Sequence, residues 1–175
     1  MAIGVSAWFD EKSEYTIRMV WKSLNERSIN STLHTGPYRP HITFGINDRL
    51  DVDKFVESLR TELNGTGAFP FILPSIGIFT EPLAGIFNVT VTDELLKIHR
   101  IVRKLMAAHG SDPVRYYLPG RWNPHCTLAP DLAKDKISDF SIYAAGLQLP
   151  IEGMITRIGV IDTPAEIELH EVKLA

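Results

Sequence analysis

Two short stretches of this chain repeat one another. Pro40-His41-Ile42-Thr43-Phe44 returns as Pro124-His125-Cys126-Thr127-Leu128, with proline, histidine, threonine and an apolar residue in the same order. A helical pattern follows each copy. Beyond it, Ser75-Ile76-Gly77-Ile78-Phe79 matches Arg157-Ile158-Gly159-Val160-Ile161, and each of these runs within a few residues into a proline and another extended pattern. A twofold repeat is too short for a solenoid, and each half carries too few strands to bury both faces of a sheet alone. Two lobes packed together are the natural solution. A pseudo-twofold axis between them would bring His41 near His125 at the lobe interface, where clefts tend to form.

The remaining elements follow from periodicity. Ala2 to Phe9 is apolar on both faces and reads as a buried strand. Ile17, Val20, Trp21 and Leu24 recur at helical spacing between charged residues, so a helix runs from Ser13 to about Ser28. Ile29 to Pro37 reads as loop and Tyr38 to Ile46 as strand. Asp51 caps a helix that Asn64-Gly65 ends. Phe69 to Thr80 and Gly85 to Thr92 read as a hairpin of two strands. A long helix from Thr92 or Asp93 stops at Gly110, and Ser111 to Asn123 reads as a loop rich in arginine and aromatic residues. A helix from about Asp131 to Ala145 and strands Ile151 to Ile161 and Ala165 to Leu174 close the chain.

Composition removes several classes of function. The net charge of −3 and pI near 6.1 argue against a basic surface that grips long RNA or DNA through many phosphates. A small nucleotide or a strand end is still admitted. The single cysteine, Cys126, allows no intrachain disulfide, which agrees with a reducing cytoplasm. The apolar start runs into Asp10, Glu11 and Lys12 without a basic leader or cleavage site, and so reads as a strand. The most apolar window, Ala68 to Phe79, is broken by Pro70 and Pro74 and is shorter than the ~20 residues of a membrane-spanning helix.

Residues at i and i+2 of a strand share a face, so His41 points with Thr43, and His125 with Thr127, while Ile42, Phe44, Cys126 and Leu128 point into the core. Two imidazoles and two hydroxyls therefore converge on one groove. Imidazole titrates near pH 6.5, so one ring can accept a proton while the other donates one. That pairing fits in-line cleavage of a phosphodiester. One histidine activates the attacking oxygen, the other protonates the leaving sugar oxygen, and the threonines hydrogen-bond the non-bridging oxygens. No cofactor or metal is needed for these roles.

Paired His-x-Thr-hydrophobic motifs in duplicated halves resemble the two-histidine (2H) phosphoesterase superfamily, which includes RNA 2′-5′ ligase-like and cyclic phosphodiesterase proteins. One such tetrapeptide carries no weight; two copies on strands, each after a proline and inside a repeat, are fairly specific. The resemblance covers nearly the whole chain. It implies a bilobal, duplicated α+β fold, with two antiparallel sheets around a central groove, helices outside and pseudo-twofold symmetry. Residues 1–175 would be one domain of two intertwined lobes. It also implies metal-independent chemistry on 2′,3′-cyclic or 2′-5′ phosphodiesters, catalysis by His41 and His125, and phosphate binding by Thr43 and Thr127. The expected partner is a small nucleotide or RNA terminus acting as substrate on a cytoplasmic monomer. A nucleotide- or RNA-end-binding module with little turnover, or a 2′-5′ RNA ligase, is the alternative.

Around the motifs, Tyr38, Arg39, Arg115, Tyr117, Arg121 and Trp122 could stack a base or contact phosphate. Tyr38, Arg121 and Trp122 are preferred because they lie nearest the histidines. His99 and His109 fall in the long helix and read as structural, and Cys126 should be inward and inert. Catalytic zinc normally takes three protein ligands, and neither a His-Glu-x-x-His helix nor a carboxylate beside the motifs is present.

Overall fold

Each motif strand is paired with a strand that precedes it in the chain, and both pairs share one register. In the computed structural model, which describes residues 2–175, β1 (Ile3–Phe9) runs antiparallel to β2 (His41–Leu50), with Trp8 opposite His41 and Ser6 opposite Thr43. Likewise β5 (Leu83–Asn88) pairs with β7 (His125–Ala129), with Asn88 opposite His125 and Ile86 opposite Thr127. The register slips just beyond the threonine in both pairs, between Val5 and Ser6 and between Gly85 and Ile86. Phe44 and Leu128, the fourth motif residues, are thus the unpaired residues of matching β-bulges.

The third strand of each set comes from the other half of the chain. β8 (Ile151–Asp162) lies beside β1, while β4 (Ser75–Thr80) lies beside β5, so the orders β8-β1-β2 and β4-β5-β7 correspond. The repeating unit is therefore strand-helix-strand-helix-strand, and its last strand crosses into the opposite sheet. The proline that follows each copy marks no equivalence: β5 is a central strand, whereas β9 (Ile167–Lys173) only covers an edge of β8. Among the described residues, β3 (Phe69–Leu73) and β6 (Gly110–Pro113) extend the larger sheet to six strands, and the smaller has three.

Helices are exchanged in the same way. α1 (Glu11–Glu26) joins β1 to β2 yet packs on β7, while α4 (Asp93–His109) joins β5 to β7 yet packs on β2 and on α3 (Val52–Glu62). α3 and α4 begin at the expected caps, with Asp51 accepting from the Lys54 amide at 3.3 Å and Thr92 from the Leu95 amide at 3.2 Å; α1 begins two residues before the expected Ser13, because Asp10 caps it by accepting from the Ser13 amide at 2.9 Å. One contiguous core holds Ile42, Phe44, Cys126 and Leu128 beside Phe55, Phe87, Val102 and Phe140. The inward half of both motifs is as the alternation requires.

Beyond shifts of a few residues at strand and helix ends, the elements differ from the sequence reading as follows. Phe69 to Thr80 is two strands in different sheets, because Pro74 lacks the N–H that a continuous ladder needs. The 29–37 connection contains a helical turn, α2 (Thr32–Thr35). The 111–123 loop starts with β6 and holds a 3₁₀ turn at Arg115–Tyr117. The helix expected from Asp131 starts later: a 3₁₀ turn at Lys134–Lys136 leads into α5 (Ile137–Ala145), and Asp131 has a φ of 47°, outside the helical region.

Candidate active site

The two histidines are held by the same local device. His41 Nδ1–H donates to the Arg39 carbonyl at 2.6 Å and His125 Nδ1–H to the Asn123 carbonyl at 2.8 Å, in each case two residues back. A carbonyl can only accept, so the proton sits on Nδ1 and Nε2 is left free on each ring. Arg39 is itself fixed: its Nε donates to Glu14 at 2.9 Å and its guanidinium lies 4.5 Å over the Trp8 ring. On the other side, the Phe79 ring meets His125 edge-on at 4.8 Å.

β2 and β7 lie next to each other across the lobe interface, close enough that charge on His125 is felt at His41. Burial is the larger influence and holds both imidazoles below the ordinary histidine pKa; the backbone carbonyls oppose it. Cys126, between the motif residues of β7, is wholly buried, and its thiol is pushed up to about 12, too high for a nucleophile.

Over their motif residues β2 and β7 have no strand partner on the side away from β1 and β5, so the carbonyls there need other donors. Two indoles supply them. Trp122 Nε1–H donates to the Thr43 carbonyl at 2.9 Å, and Trp21 Nε1–H to the Thr127 carbonyl at 3.1 Å. Trp122 is also stacked on His99 at 4.0 Å, with Phe44 at 5.6 Å, and His99 Nε2–H donates to the Tyr117 carbonyl at 2.9 Å.

A cavity of about 340 Å³ opens on the β5–β7 side, lined by His125, Thr127, Phe79, Tyr116, Tyr117 and Arg121 among others. Arg121 is thus placed in it. Trp122 and Tyr38, named with Arg121 as substrate contacts, are not: Trp122 is the pin just described, and the Tyr38 ring lies against Gly36. Tyr117, one of the six candidates though not of the preferred three, has a buried phenol beside the Thr43 side chain and lines the cavity with His125. Phe79 carried one usable signal, its place at the end of the repeated Ile-Gly-hydrophobic segment.

Among the described residues no three His, Cys, Asp or Glu side chains come together as a metal-binding group, and no helix is long and apolar enough to cross a membrane.

The family model of the 2′-5′ RNA ligase superfamily matches residues 39–166, a span that holds both motifs. The chain belongs to this superfamily. No curated protein matches the sequence. Solved structures share the fold. TT0787 of Thermus thermophilus aligns over 99% of this chain and 98% of its own, with a TM-score of 0.65 and 12% identity. E. coli LigT complexed with 3′-AMP aligns over 99% and 97%, with 0.63 and 13%. Kluyveromyces marxianus Usb1 with uridine monophosphate aligns over 99% and 96%, with 0.51 and 12%.

Replacing Trp122 by Phe keeps the stack on His99 but removes the N–H from the Thr43 carbonyl. Loss of about 0.5–1.5 kcal/mol of stability is expected in urea denaturation, with KM unchanged. A raised KM at unchanged stability would return Trp122 to the substrate surface.

Proposed function

We propose that the protein is a metal-independent phosphodiesterase acting on 2′,3′-cyclic phosphate or 2′-5′ linked nucleotides or RNA termini. Family membership supports phosphoester chemistry in general; the observation that carries the finer reading is the pair of imidazoles with Nδ1 locked and Nε2 free on adjoining strands. One Nε2 takes a proton from water as its oxygen bonds to phosphorus. The bond from phosphorus to the sugar oxygen breaks, and that oxygen takes the proton from the opposite Nε2–H. The Thr43 and Thr127 hydroxyls donate to the non-bridging oxygens, and the buried Tyr117 phenol lies beside Thr43. Aromatic walls and Arg121 on the His125 side suit a nucleoside and its phosphate. That LigT and Usb1, which share the fold, were solved with 3′-AMP and uridine monophosphate supports a small nucleotide here.

A panel of 2′,3′-cyclic mononucleotides, RNA ending in a cyclic phosphate and 2′-5′ dinucleotides tests this reading. Turnover of one class in the presence of EDTA is expected; binding without product across the panel would reduce the protein to a binding module. The pH profile of kcat/KM should be bell-shaped, because one ring must be neutral and the other protonated. With both pKa values lowered, the acid limb, where the base becomes protonated, and the alkaline limb, where the acid loses its proton, both move down. The maximum is therefore expected on the acid side of about pH 6.5, and a maximum above pH 7 would contradict it.

A further inference from the structure

Arg103 has no role in the reaction described above, and its surroundings are unusual for a cation. It lies on α4 with only 5% of its surface exposed. Its guanidinium rests where a side chain on Gly45 of β2 would be, so the glycine makes room for it. Both of its hydrogen bonds leave from Nη1, to Asn47 Oδ1 at 3.2 Å and Met106 Sδ at 3.2 Å. Its Nε is buried without a partner. Among the described residues no carboxylate forms an ion pair with Arg103 or with Arg100, one turn away on the same helix.

A buried guanidinium with no counter-charge is costly, and buried charges are ordinarily paired. Arg103 lines a cavity of about 570 Å³ together with Arg100, Lys104, Asn47, Leu118 and Pro119. Its lining holds three cationic side chains and no carboxylate; Lys104 alone is engaged elsewhere, with Glu62 at 3.4 Å. This cavity shares no lining residue with the one around His125.

We propose that this cavity is a second anion site, which takes a phosphate group against the Arg103 guanidinium, with Arg100 and Lys104 supplying further positive charge. An arginine fork matches phosphate oxygens and supplies charge-assisted hydrogen bonds, and phosphate would supply the counter-charge that the protein does not. The site adjoins the catalytic machinery through one segment: Leu118 and Pro119 form its wall, while Tyr117 just before them and Arg121 just after line the cavity around His125. The phosphate is either free in solution or part of a nucleotide chain whose reacting end lies in the groove.

The first test titrates inorganic phosphate against the parent protein, Arg103→Met and Arg100→Ser by calorimetry, at constant ionic strength set with chloride. A phosphate in the catalytic groove is common to all three, so the difference reads the second site. Binding about 10- to 100-fold weaker is expected in Arg103→Met, and about 2- to 5-fold weaker in Arg100→Ser, an exposed position that leaves the fold intact. If Arg103→Met fails to fold, Arg100→Ser decides. Equal phosphate binding in the parent and the folded variants, or none in the parent beyond the groove, overturns the proposal.

The second arm, which rests on the proposed function where the first does not, compares a short oligoribonucleotide with a 3′-mononucleotide by fluorescence anisotropy. Weakening of the oligonucleotide alone in Arg100→Ser assigns the phosphate to the substrate strand. Unchanged binding of both, with weakened inorganic phosphate, assigns it to a free anion.

Discussion

Alanine at His41 or His125 should lower kcat by about 10²–10⁴, the range for loss of a general acid or base. Thermal unfolding should change little, because each ring's one hydrogen bond to protein goes to a carbonyl two residues back and ties together no distant elements. If both rings act in one concerted step, the double variant should be scarcely worse than the poorer single one, since groups that work as a unit are not additive. Multiplicative losses would mean two independent steps. Full activity in either single variant would remove that histidine from the mechanism, and with it the pairing on which the proposed reaction depends.

The second large effect lies in the repeated glycine. A methyl group on Gly159 would run into the Trp8 indole, which is wholly buried opposite His41 and beneath Arg39. Gly159→Ala should therefore cost about 1–3 kcal/mol through overpacking, a fall of roughly 2–10 °C in Tm for a chain of this size. It should also lower kcat, because Arg39 lies on Trp8 and its carbonyl holds the His41 Nδ1 proton. Gly77 is the matching glycine of the first repeat, where a methyl group would meet the Asn88 amide at 3.3 Å and the Ile86 side chain at 3.5 Å, an ordinary contact. Gly77→Ala should be milder in both measurements. Equal effects at the two positions would show that the glycines respond to strand geometry and not to the side chains behind the histidines.

These glycines show how far pattern carries. Their match between halves was visible in the chain, but not its reason: each lies against the residue paired with a motif histidine, Trp8 in one sheet and Asn88 in the other. The shared face of His41 and Thr43, and that of His125 and Thr127, was likewise readable, because alternation in a strand dictates which side chains share a face. Tyr117 was readable only as one of six aromatic and arginine candidates and Phe79 only by its place in the repeat, while Arg103 was not readable at all, since nothing in its neighbourhood says which sheet it will meet.

The sequence by itself determined the duplication, the α+β class, the inward and outward residues of both motif strands and the family to which they belong. All of these rest on spacing within a few residues, which backbone geometry converts directly into direction. Tertiary structure alone decided that the halves exchange their last strand and a helix, that Trp122 pins a carbonyl, and that Arg103 is enclosed without a counter-charge. Such contacts join residues far apart in the chain, as with Trp122 and Thr43, 79 positions apart, or Trp21 and Thr127, 106 apart. They arise only when the exchanged strands and helices bring both edges together.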